Sequence, residues 1–121
     1  MVNRPLHFGF NSLTAADNVY QHSCKAGFSE SDIAIQATIE FDSFVRVLRN
    51  AGVNVIEFED LNQDKTPDSL FPNNWISTHH DGSIWLYPML SPNRRVERRK
   101  DIVDYLKKKF NVHNIFNNAS D

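Results

Sequence analysis

The chain has 121 residues, 40% of them apolar and 23% charged, the proportions of an ordinary folded domain with room for one hydrophobic core. Its net charge of -2 provides no field that would draw it to nucleic acid or to an anionic membrane surface. A single cysteine, Cys24, excludes an internal disulfide and fits a reducing, cytoplasmic setting, and no apolar run reaches the length of a membrane span or an export signal.

In chain order, residues 6–10 follow Pro5 and alternate, which predicts a short strand with Phe8 and Phe10 on one face. Residues 11–31 are polar and weakly periodic, and read as a long loop or lid. Ser29 and Asp32 stand at capping-box spacing, and Ala37, Phe41, Phe44, Val45 and Leu48 recur at helical steps. A helix with those five side chains inward is expected, ended by Asn50-Ala51-Gly52. The β-branched alternation at 53–58 predicts the next strand, and a polar loop, 59–69, follows it.

The stretch from Phe71-Pro72-Asn73-Asn74-Trp75 to Leu86-Tyr87-Pro88-Met89 reads as a β-hairpin whose turn is Asp81-Gly82. Pro92-Asn93 then starts a second helix with Val96, Ile102, Val103, Leu106 and Phe110 inward, and 112–116 is a last short strand. Strands alternating with helices define an α/β fold with a mixed sheet and at least one crossover helix. Two strand–helix–strand stretches around the hairpin suggest an internal repeat of roughly fifty to sixty residues.

Several groups invite a chemical reading. Cys24, with His22 and Lys25 close in sequence, has the makings of a nucleophile, but the partners of catalytic thiols usually lie far away along the chain. His79 and His80 would point to opposite faces of a strand, which argues against a shared metal ion. The basic residues Arg98, Arg99, Lys100, Lys107, Lys108 and Lys109 are interspersed with Glu97, Asp101 and Asp104 at pairing distances, the pattern of a solvated helix face. Arg94 and Arg95 differ, because cations at a helix start oppose its dipole and call for an anion nearby. Asn73 and Asn74 conflict with the strand around them, and such local conflicts mark functional sites; a bend at the start of the strand is the plain structural reading.

The ordered series Arg4-Pro5, Phe8-Gly9-Phe10-Asn11, Thr14-Ala15-Ala16-Asp17-Asn18, Pro67-Asp68-Ser69-Leu70-Phe71-Pro72-Asn73-Asn74-Trp75, Leu86-Tyr87-Pro88-Met89 and Pro92-Asn93-Arg94-Arg95-Val96-Glu97-Arg98 resembles the amino-terminal part of the arginine deiminase and amidinotransferase superfamily. Its nearest likeness is to the citrulline-utilisation hydrolase branch, related to dimethylarginine dimethylaminohydrolase. The resemblance implies a pentein, or α/β-propeller, built from ββαβ units, of which this chain would hold about two within one domain over 1–121. It also implies a cofactor-free hydrolase of carbon–nitrogen bonds in guanidino or ureido amino acids, in which a cysteine attacks the central carbon and a histidine moves the proton. Cys24 and the five histidines do not match those catalytic positions, so this stretch is expected to bind substrate and to be inactive alone.

The residues that the resemblance assigns to substrate are Phe71, Asn73, Asn74, Arg94 and Arg95. In the dimethylaminohydrolase relatives the position of Asn74 carries a carboxylate facing the guanidinium, and the arginine matching Arg94 or Arg95 helps to hold the substrate carboxylate. An amide at position 74 suits a neutral ureido group instead. Two functions stay open on the sequence: the substrate-binding part of such an enzyme, completed by further chain or by self-association, and a stand-alone ligand-binding or protein-interaction module. Neither involves nucleic acid or a membrane.

Overall fold

A computed structural model describes residues 1–19, 27–61 and 65–118. They form two compact units, 1–71 and 72–121.

In the first unit, β1 (Val2–Arg4) and β2 (Glu57–Glu59) pair in parallel, with Val2 opposite Glu57 and Arg4 opposite Glu59. Parallel neighbours need a crossover connection, and the intervening chain contains α1 (Glu30–Asn50), which packs on β1 and buries Phe41 and Val45. Thr38 Oγ1 donates to the Pro5 carbonyl at 2.7 Å. Arg4 joins all three elements: its guanidinium bonds Asp42 of α1 at 2.7 and 2.8 Å and Glu59 of β2 at 2.9 Å.

Both strands differ from expectation, for reasons that involve polar groups. The first forms at Val2–Arg4 rather than at 6–10 because Asn3 is buried and donates to Asp60 at 2.8 Å and to the Ser69 carbonyl at 3.2 Å. The Leu6 N–H, which a strand at 6–10 would use for a ladder, goes to the same Asp60 carboxylate. The second strand begins only at Glu57 because the Val53 N–H returns to the Leu48 carbonyl and that of Gly52 to Arg49. With Gly52 at φ +83°, these two bonds form a Schellman motif, so Val53 ends the helix instead of opening a strand.

The helix starts as expected. Ser29 is the N-cap, its hydroxyl accepts from the Asp32 N–H at 3.1 Å, and Asp32 accepts from the Ser29 N–H at 3.0 Å. Phe44, expected inward, is 53% exposed. Of the expected loop at 11–31, Asn11 is buried and donates to Asp68 at 2.6 Å, and turns follow at 12–17. Residues 20–26, with His22, Cys24 and Lys25, lie outside the described residues, and the readings placed on them stay with the sequence.

In the second unit, β3 (Ile76–Thr78) and β4 (Ser83–Leu86) form the hairpin, antiparallel, with Ser77 opposite Trp85. Next, β5 (Asn114–Asn117) joins β4 in parallel, giving a mixed sheet in the order β3-β4-β5. Trp85 stacks on its register partner Phe116 with centroids 4.4 Å apart. Buried apolar side chains come from Trp75, Ile76, Ile84, Met89 and the inner face of a helix at 100–109.

The helix expected from Pro92 onward is two helices, α2 (Pro92–Arg95) and α3 (Lys100–Lys109). Ile102, Val103 and Leu106 are buried as expected, whereas Val96 and Phe110 are exposed, the first lying between the helices and the second beyond the end of α3. Both units together make the molecule α/β with parallel and mixed sheets.

Candidate substrate-binding site

Asn73 and Asn74 do not open a strand. With Pro72 they form one 3-10 turn, closed by the Trp75 N–H donating to the Pro72 carbonyl at 3.1 Å. Proline presets the φ that such a turn needs, and Trp75, only 2% exposed, anchors its far end. The Trp75 carbonyl then accepts from Tyr87 at 2.9 Å, so the hairpin's pairing begins one residue past the amides. Both asparagine side chains are left exposed.

Arg94 and Arg95 are the third and fourth residues of α2, a single turn that is start and end at once, too short for the dipole argument made for them to carry weight. Arg94 has its anion within the chain. Its Nε lies 3.2 and 3.3 Å from the two oxygens of Glu97, and a terminal nitrogen donates to Glu97 Oε2 at 3.1 Å. The side chain of Glu97 is 1% exposed and that of Arg94 16%. A carboxylate so deeply buried requires a partner with good geometry, and the i,i+3 spacing supplies it. The same terminal nitrogen of Arg94 donates to Asn74 Oδ1 at 2.9 Å.

Arg95 has a different role in the local structure. Its guanidinium donates to the carbonyls of Met89 at 3.0 Å and Leu90 at 3.2 Å, clasping the loop before α2. Of the sequence-predicted residues, the structure therefore joins Asn74 directly to Arg94, leaves Asn73 beside them on the same turn, and ties Arg95 to backbone. Phe71 belongs to the first unit, is 44% exposed, and donates its N–H to the Asp68 carbonyl.

Glu97 is the member that sequence reading missed. Its spacing in sequence matches that of Asp101 and Asp104, which pair with Arg99 and Lys100. Only the Arg94-x-x-Glu97 spacing next to an unexplained arginine could have singled it out. Elsewhere in the unit, His79 Nε2 lies 2.9 Å from Ser77 Oγ, which is itself 2.8 Å from the Tyr87 hydroxyl. Among the described residues no group of three or more His, Cys, Asp or Glu side chains could hold a metal ion, and no helix is long and apolar enough to cross a membrane.

The second unit thus brings together the exposed Asn74 amide of the 3-10 turn and the Arg94 guanidinium of α2, which the buried Glu97 carboxylate backs. The family model described as N,N dimethylarginine dimethylhydrolase, eukaryotic, matches residues 4–120, and the chain belongs to that family. Neither the curated proteins nor the solved structures give a match.

Proposed function

We propose that this chain provides the substrate-binding part of a cytoplasmic hydrolase that cleaves a carbon–nitrogen bond of a guanidino or ureido amino acid, with the citrulline type preferred. The observation that carries the reading is position 74. In a chain of the N,N dimethylarginine dimethylhydrolase family, it presents an exposed neutral amide beside an arginine. The substrate in the family's name is a guanidinium cation, which a carboxylate would complement. An uncharged amide next to a positive guanidinium is poorly matched to a cation and well matched to a neutral ureido group, which has both donors and an acceptor. Asn73 shares the turn, and Arg95 is the residue proposed for the substrate carboxylate. The fold proposed for the family domain is the pentein, with these units as its first parts.

Titration calorimetry of the 121-residue chain with L-citrulline and L-arginine tests the reading. Tighter binding of L-citrulline is expected, and Asn74→Asp should shift the preference toward L-arginine by about tenfold, the equivalent of one charge-assisted hydrogen bond. Binding of neither amino acid, or an unchanged preference in the variant, overturns it.

A further inference from the structure

We infer that Arg94 is a positioning residue: it fixes which end of the Asn74 amide faces the ligand, and thereby selects a ligand that offers a carbonyl oxygen there. The inference rests on Asn74 being a ligand contact, as proposed above. Its basis is the chemistry of the pair. Guanidinium has donors and no acceptor, so the amide atom 2.9 Å from the Arg94 terminal nitrogen must be Oδ1. The amide cannot flip without setting donor against donor. Its other end, Nδ2 with two hydrogens, points away from Arg94 on an exposed side chain, and no described residue accepts from it.

Glu97 makes this arrangement stiff. It engages Nε of Arg94 with both oxygens and the terminal nitrogen with one, and being 1% exposed it has no freedom to swing into water. The guanidinium plane is thus set by a buried carboxylate, and the nitrogen that reaches Asn74 divides its donors between Glu97 and Asn74. A ureido oxygen accepts from Nδ2. A guanidinium, which has only donors, meets a donor and loses the bond. Replacing Asn74 by Asp keeps one oxygen on Arg94 and turns the outward donor into an acceptor, which is why that change favours guanidinium.

The test must separate positioning from direct binding of a substrate carboxylate by Arg94. Arg94→Met with Glu97→Met removes both members of the pair together, a change that cores often accept; Glu97→Gln loosens the hold while keeping Arg94. Affinities are measured for L-citrulline and L-arginine, and for their carboxylate-free counterparts N-carbamoylputrescine and agmatine. The double variant is expected to lose about tenfold of the ureido preference in both pairs, with a shift of the Asn74 13Cγ resonance, and Glu97→Gln to change both in the same direction by less. An unchanged preference in both pairs overturns the inference. So does equal weakening of L-citrulline and L-arginine with the carboxylate-free pair unaffected, which makes Arg94 a carboxylate ligand. If the unsubstituted chain binds none of the four, the site reading itself fails. The 13Cγ resonance keeps the two failures apart, because it shifts on substitution if Arg94 holds the amide and stays in place if it does not.

Discussion

Gly82 lies in the hairpin turn at φ +77°, and a methyl group there would stand 2.6 Å from His113 Cδ2 and 2.7 Å from the Asn111 carbonyl oxygen. One of those neighbours is backbone, so the clash cannot be relieved by turning a side chain. The Gly82 carbonyl also accepts from the His113 N–H at 2.9 Å, so the turn both reverses the chain and receives the segment leading to β5. Gly82→Ala is expected to destabilise by about 2 kcal/mol or more, read by urea unfolding, with the amides of β5 losing exchange protection first. A variant as stable as the parent would show that the turn can relax. Asn74 and Glu97 mark the limits of sequence reading at this scale. The asparagines stood out because they are rare in strands, and the structure explains the anomaly by placing them in a 3-10 turn. Glu97 left no mark, because burial of one carboxylate does not alter any periodic pattern.

Among the elements, α1 was the most legible, since capping, apolar spacing and a terminal glycine all act within a few residues of chain. Ser29→Ala removes the hydroxyl that accepts from the Asp32 N–H and should cost about 1 kcal/mol, measured as a lowered urea midpoint with unchanged slope; a loss within error would mean that the first turn is held from elsewhere. The two strands of the first unit lie several residues from where alternation puts them, because each has only three residues and its start is set by a specific hydrogen bond, whereas the hairpin forms around its expected Asp81-Gly82 turn. Asn3 with Asp60 fixes β1, and Leu48 with Val53 delays β2. Neither relation leaves a local alternation to be read.

Over the whole molecule, the electrostatics follow one pattern. The Ser29 hydroxyl holds Asp32 below the usual carboxylate range, Arg4 does so for Asp42, the Ser83 hydroxyl for Asp81 and the Arg99 guanidinium for Asp101. A carboxylate whose folded pKa is depressed contributes stability above its unfolded value, about 4, and loses it as pH falls through the folded value. Unfolding midpoints should therefore hold near neutrality and drop as pH goes below about 4. Arg4→Met should flatten that drop by removing the share of Asp42. Stability that rises on acidification, or an Arg4→Met profile parallel to the parent, would contradict this. The α/β class was legible at this scale because alternation of strand and helix patterns survives errors in their ends. The Asn74–Arg94–Glu97 grouping was legible only in part, because it depends on α2 stopping at Arg95.

The pairing of β1 with β2 also bears on the order in which the chain can organise. The Asn3–Asp60 bond closes a separation of 57 residues, whereas the Ser77–Tyr87 contact in the hairpin closes one of 10. Loop-closure entropy grows with that separation, and non-local pairings form slowly. The hairpin can take shape from adjacent chain alone. The first strand, although it is made before β2, cannot enter their parallel pairing until the residues of β2 have been synthesised, and its buried asparagine must wait in water until then.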